Sequence, residues 1–194
     1  PHPNKRIGRE MAQVNADLCA SCGICVGACP SSTPFRSVAE LVTGIDMPSA
    51  PISALRHQLQ QALAASRAEH PIVVFGCECG ARVDTLAAPD VAPFSLMCTG
   101  ALPPSFVEYA LRDGAAAVLV AGCREAGCEF RLGQRWSAER LAGEREPHLR
   151  ASVPRERVAT AWGDAGDEAA LHTALAQLRE RLRGAAPLER AAHG

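Results

Sequence analysis

The sequence predicts an α/β fold, a parallel sheet with helices on both faces, preceded by a small cysteine-rich module. Three observations predict it. Ile72-Val73-Val74-Phe75 and Ala115-Ala116-Ala117-Val118-Leu119-Val120 are continuous apolar runs, the pattern of strands buried on both faces. Amphipathic helices alternate with such runs, which implies right-handed crossovers between parallel strands. Ahead of the alternation, four cysteines crowd between Cys19 and Cys29.

The module comes first, over residues 1–47. Cys19, Cys22, Cys25 and Cys29, with Pro30 directly after, form a Cys-x2-Cys-x2-Cys-x3-Cys-Pro run, the spacing of a bacterial-type [4Fe–4S] site. Small residues between them (Ala20, Ser21, Gly23, Gly27, Ala28) let the backbone wrap a cubane and aim N–H groups at its sulfides, which helps set its potential. A zinc knuckle usually pairs two Cys-x2-Cys hooks across a longer insert, and disulfides between residues this close would strain. In two-cluster ferredoxins the fourth cysteine of such a run ligates the other cube, so Cys29 either closes this cube or serves a second one. The stretch Gln13 to Leu18 resembles the strand and turn before the second run of those ferredoxins, and Pro1-His2-Pro3-Asn4-Lys5-Arg6 reads like the middle of a longer polypeptide. We therefore expect a first half upstream of Pro1, where a targeting segment or membrane anchor would also fit.

Ser31 to Met47 reads as a mixed connector with Pro34 and Gly44, and the α/β domain follows over residues 48–184. A helix is expected from Pro51 to Ala68, with Ile52, Leu55, Leu59 and Leu63 at helical spacing and His57 and His70 on its solvated side or end. Besides the two strong strands, Ala92 to Met97 reads as a weaker one. Pro103 to Asp113 is a helix with Pro at its start, Phe106, Val107, Ala110 and Leu111 inward, and Gly114 as its stop. Further elements are a helix over Phe130 to Gly143, a strand over Arg157 to Trp162, and a last helix over Asp167 to Arg183 that faces Leu171, Leu175, Leu178 and Leu182 inward. Residues 185–194 form a tail rich in Ala and charge.

Composition narrows the function. The chain has 194 residues and is 47% hydrophobic, enough for one ordinary core and a small appendage. A net charge of −1 without a basic run argues against nucleic acid as a partner. Nine cysteines without a secretory signal favour metal ligation in a reducing, cytoplasmic compartment over a disulfide framework. No apolar stretch is long enough to cross a bilayer, so any membrane association, on the cytoplasmic side, would come from an upstream anchor.

The five remaining cysteines sit after strands. Cys77 and Cys79 follow the first strong strand, Cys98 follows the weaker one, and Cys123 follows the third, with Cys128 a short turn later. Loops at the carboxyl ends of neighbouring parallel strands converge on one crevice, so the five thiols should meet. Flanking glycines (Gly76, Gly80, Gly100, Gly122, Gly127) permit close backbone approach. Four thiolates are enough for a second iron–sulfur centre, with [2Fe–2S] the favoured form. The rival readings are a structural or redox-sensing zinc site and a redox-active dithiol at Cys77-Glu78-Cys79.

These residues resemble a known family. Phe75-Gly76-Cys77-Glu78-Cys79, then Cys98-Thr99-Gly100 with Pro104-Ser105-Phe106, then Val118-Leu119-Val120-Ala121-Gly122-Cys123 and Gly127-Cys128 with Gly133, are similar to the delta subunit of methyl-viologen-reducing hydrogenase. The resemblance implies a flavodoxin-like domain with a [2Fe–2S] cluster. It also implies electron transfer between a hydrogenase or formate dehydrogenase and a heterodisulfide-reductase-type flavoprotein. Bacterial relatives, known as hydrogenase iron–sulfur subunits, place ferredoxin-type runs ahead of the domain, as here. The archaeal pattern opens with a fuller cysteine cluster than Cys77-x-Cys79 and has histidine where this chain has Glu129. Cys77, Cys98, Cys123 and Cys128 are thus expected as metal ligands with Cys79 at the same cofactor, and the choice between Cys77 and Cys79 stays open.

Other chemistry finds no support in the residues. No Gly-x-Gly-x-x-Gly turn offers a dinucleotide site, and Asp84, Glu108 and Glu125 have no acid/base mate and read as surface or capping groups. Arg124, Arg131 and Arg135 form either a solvated face or a dock for an acidic partner; Trp136 and Trp162 read as core or interface anchors. The expected protein is an electron-transfer component of a larger oxidoreductase complex and is not itself catalytic.

Overall fold

The two continuous apolar runs become the centre of a four-stranded parallel sheet. The computed structural model describes residues 15–29, 45, 47 and 50–184; the stretch 1–14, most of the connector and the 185–194 tail lie outside the described residues. In chain order the elements are α1 (Ile24–Gly27), α2 (Ile52–Ala65), β1 (Ile72–Cys77), β2 (Val91–Leu96), α3 (Ser105–Arg112), β3 (Ala117–Gly122), α4 (Gly133–Ala142), β4 (Val158–Trp162) and α5 (Glu168–Gly184). The strand order is β2-β1-β3-β4 and every pairing is parallel, with Ile72 opposite both Val91 and Ala117, and Val118 opposite Val158. Chain direction across the sheet reverses between β1 and β3, which makes their carboxyl ends the switch point where open α/β sheets bind ligands.

Every residue of β1 and β3 is buried, because both faces are covered. Val73, Phe75, Val118 and Val120 face α2, α3 and α4, where they pack with Leu59, Phe106, Val107, Ala110 and Leu141. Ile72, Val74, Leu119 and Ala121 face the other way, against Leu171, Leu175 and Leu178 of α5 and a short 3-10 turn, Val83–Leu86. Each fully buried Val, Leu, Ile or Phe contributes about 1.5–3 kcal/mol. Phe75 meets Phe94 at 5.6 Å and Phe106 edge-on at 6.5 Å, and Phe106 meets Tyr109 at 5.4 Å. The predicted α/β class, a parallel sheet with helices on both faces, is the observed one.

The differences from expectation are local. The crossover from β1 to β2 carries a 3-10 turn rather than a helix. β2 is a partly exposed edge strand, and only an edge position tolerates Pro93, which has no N–H to give the ladder. The third strand begins at Ala117 rather than Ala115, because the Ala115 and Ala116 carbonyls accept from Arg157 instead of a strand partner. α2 ends at Ala65, short of the expected Ala68, as Ser66 turns extended. α4 starts at Gly133 rather than Phe130, since Arg131 takes φ 60° in the preceding turn. At the amino end of the sheet Arg179 of α5 grips Asp90 with two hydrogen bonds of 2.8 and 2.7 Å. The exposed His57 and His70 match the solvated placement expected for them.

Candidate metal centre

Three adjacent strands, β2, β1 and β3, end at one rim, and each delivers a thiol there. Cys77 closes β1, Cys123 follows β3 directly, and Cys98 stands two residues beyond β2. Cys77, Cys123 and Cys128 form one buried cluster with Cys79 packed against it. Cys98 joins from the β2 side as a hydrogen-bond partner of Cys77. The five thiols therefore meet, as the strand-end argument expects. The Met97 carbonyl oxygen lies 3.7 Å from Cys77 Sγ and 4.0 Å from Cys79 Sγ. Among the described residues, no three Cys, His, Asp or Glu side chains converge closely enough to hold a single ion.

A glycine makes the room. α4 opens at Gly133 directly over Cys98, where a Cβ would stand 2.1 Å from Cys98 Sγ and 3.7 Å from Cys128 Sγ. Any side chain there would push Cys98 aside. Gly100 N–H donates to Cys98 Sγ at 3.4 Å, at the start of the 3-10 turn Thr99–Ala101.

Burial and hydrogen bonding sort the thiols electrostatically. Cys77 is drawn far below the usual thiol range, to about 5, chiefly by the Cys98 thiol that donates to it, with backbone N–H groups of Cys79, Cys123 and Thr99 helping against the penalty of burial. Cys98, the donor, is pushed up by that same bond and by burial. Cys123 is pushed up by burial first, then by the neighbouring Cys77 and Cys128. Cys79 is only half-buried, and burial raises it first, followed by Cys77, Glu129 and Glu78. Four sulfurs held out of water within reach of several N–H donors are a donor set that fits a thiolate-ligated iron–sulfur core.

The N-terminal run lies beside this rim but is built differently. Cys19 and Cys25 are exposed, Cys22 and Cys29 half-buried, and one short turn, α1, carries Cys25. Ser21 N–H donates to Cys19 Sγ at 3.4 Å. The Cys25 thiol is raised chiefly by burial, with Cys22 and Cys19 adding to the rise. Val26, between Cys25 and Cys29, is buried in the same core as Phe75 and Phe106, and Ile24 lies against the Thr99–Ala101 turn.

The surrounding side chains take structural parts. Arg124 pairs with Asp167 at 2.8 Å and with Asp164 at 3.8 Å, while Asp164 also accepts from Arg124 N–H at 3.0 Å; the residues after β4 thereby clamp the Cys123–Cys128 loop. Arg135 pairs with Glu139, and Arg131 is exposed at its turn. Trp162 packs against Gly122 and Trp136 lies under Arg145, both as anchors. Asp84 pairs with Arg82, and Glu108 holds Arg150 across from α3. Asp164 and Arg140, which no motif in the sequence marks, both touch this rim. Arg140 was legible in its helical phase, since 133, 137, 140 and 141 make one buried stripe on α4.

Residues 72–185 match the model of the methyl-viologen-reducing hydrogenase delta subunit, well over half of the chain. The chain belongs to that family. Residues 12–33 match a 4Fe-4S binding domain, so a ferredoxin-type 4Fe–4S segment precedes the region that carries the family match. A curated relative, an iron-sulfur subunit of the F420-non-reducing hydrogenase vhc from Methanococcus voltae, is 23% identical over 99 residues, which cover 51% of this chain and 69% of the relative. Among the described residues no helix is long and apolar enough to cross a membrane.

Proposed function

We propose that this delta-subunit homologue relays electrons between two iron–sulfur centres inside a larger oxidoreductase complex of the hydrogenase or heterodisulfide-reductase type. The cysteine run of the 4Fe–4S segment holds one centre, in a module over residues 1–47. Cys77, Cys98, Cys123 and Cys128 hold the other, a [2Fe–2S] cluster, in the domain over residues 48–184. When bound, each centre supplies one-electron storage without bond chemistry. The observation that carries the reading is the gathering of buried thiols at the ends of three neighbouring strands, directly against the loop of the 4Fe–4S segment.

The chain's own residues bind, orient and dry these centres. Cys77 is preferred to Cys79 as a ligand because it is 3% exposed, central and drawn toward the thiolate, whereas Cys79 stands at the margin beside the Glu78 and Glu129 carboxylates. N–H groups of Cys79, Thr99 and Cys123 aim at Cys77 and stabilise added negative charge there. The partners are other redox proteins of the complex: a hydrogenase or formate dehydrogenase on one side and a heterodisulfide-reductase-like flavoprotein on the other. Protein purified without oxygen should hold roughly six irons per chain. Cys123→Ser should abolish only the [2Fe–2S] spectrum and Cys22→Ser only the cubane's, read by electron paramagnetic resonance. Zinc without iron at the strand-end thiols, or loss of both spectra from either change, would sink the reading.

A further inference from the structure

Two loops close around one guanidinium. Gly27 lies within the N-terminal cysteine run and Gly100 lies two residues past Cys98, and Arg140 of α4 reaches between them. Its Nη1 donates to the Gly100 carbonyl at 3.0 Å, and the same atom stands 2.9 Å from where a Cβ on Gly27 would be. A side chain at Gly27 would meet the Gly100 carbonyl oxygen first, at 2.1 Å, and the guanidinium next. Arg140 is 1% exposed, and among the described residues its Nε is buried without a hydrogen-bond partner. Glu139, the acidic neighbour in sequence, is taken by Arg135 and Arg145. Among the described residues no carboxylate forms an ion pair with Arg140. A guanidinium stays protonated at neutral pH, so a positive charge sits here out of water, with Glu139 and Cys98 near enough to favour it but, among the described residues, without an ion pair of its own. Such a charge is costly unless negative charge lies close by.

Both loops bring negative charge when their cysteines ligate iron and sulfide, and each added electron increases it. We propose that Arg140 is the shared counter-charge of the two iron–sulfur centres, a positioning residue whose field raises both reduction potentials. The inference rests on the ligation argued above. Arg140 touches neither thiolate set as a ligand and takes no part in bond making. Its effect is Coulombic: the charge is fixed between the loops, and low local polarisability makes it count for far more than the exposed Arg124 or Arg131. The electron would be supplied by a reduced donor and held by the cluster until it is passed on, and the guanidinium would remain protonated throughout.

The test is a potentiometric titration of the full chain, reduced stepwise with dithionite and read by electron paramagnetic resonance, with iron and sulfide measured in each sample. Arg140→Gln keeps a donor for the Gly100 carbonyl and removes the charge. At a fixed ambient potential it should shift the oxidised-to-reduced ratio of both centres by about tenfold toward oxidised, ~59 mV for a one-electron couple, at unchanged iron content. Arg140→Lys, which keeps the charge, should stay within about twofold of the wild type. Unmoved midpoints in Arg140→Gln, a shift in one centre only, or an equal shift in Arg140→Lys would overturn the proposal. Should Arg140→Gln fail to fold, Arg140→Lys decides alone, a tenfold shift counting against the idea and a wild-type titration for it. A wild-type chain that takes up no iron defeats the ligation reading first, and metal analysis reveals that before any variant is made.

Discussion

The two cysteine sets are gathered by opposite means. Cys19 to Cys29 come from one contiguous loop whose thiols are exposed or half-buried, so their spacing in the chain already makes them neighbours. Cys77, Cys98, Cys123 and Cys128 come from the ends of three neighbouring strands and the loop after the third, and are out of water. A contiguous set depends on its own turn, whereas a dispersed set exists only while the sheet does. Metal at the dispersed set, as proposed, would therefore be linked to global folding more directly than metal at the run.

The sharpest attempt to break this contrast is Phe75→Ala in β1. Truncating a fully buried Phe costs about 3–5 kcal/mol, and Phe75 is 0% exposed. In a urea titration the strand-end centre should lose its spectrum at lower denaturant than in the wild type, with the run's spectrum less affected; equal losses would erase the distinction. Next in size is Gly133→Ala, which places a methyl group against Cys98 Sγ. Iron at the strand-end centre should fall severalfold, with the cubane content unchanged. The smallest effect belongs to Asp90, at the opposite end of the sheet from the thiols. Its carboxyl is held low by the Arg179 guanidinium. A depressed folded pKa gives stability that is present above the unfolded value of about 3.9 and lost as pH falls through the folded value. Asp90→Asn should cost under about 1 kcal/mol at neutral pH, flatten the acid limb of the stability curve measured by thermal melting, and leave both spectra alone.

The same contrast explains what was legible. The N-terminal run is readable because all of its information is local, in spacing and a trailing proline. β1 and β3 are readable because strands buried on both faces leave unbroken apolar runs. The convergence of Cys77, Cys98 and Cys123 follows from parallel topology alone, once strands of this type are recognised. What stayed hidden depends on tertiary partners. Nothing near Asp164 announces that it clamps a loop forty residues earlier in the chain. Arg56 lies on the buried stripe of α2 with Ile52 and Leu59, paired with Asp113 and stacked 4.5 Å from the Tyr109 ring, partners that its own neighbourhood in the sequence does not reveal. The true start of α4 was masked by the left-handed Arg131, whose conformation no composition rule predicts.

Val26 carries a last consequence. Its side chain, set between two cysteines of the run, is 2% exposed in the core that also holds Leu102 and Phe106. A swinging carrier, of the sort that docks at one redox site and then travels to another on a flexible arm, would have to tear that residue out of the interior on every cycle. The loop is instead bolted to the sheet-bearing body like a rail to its sleeper, so under the proposed relay any charge crossing between the two cysteine sets would do so along a track of fixed length.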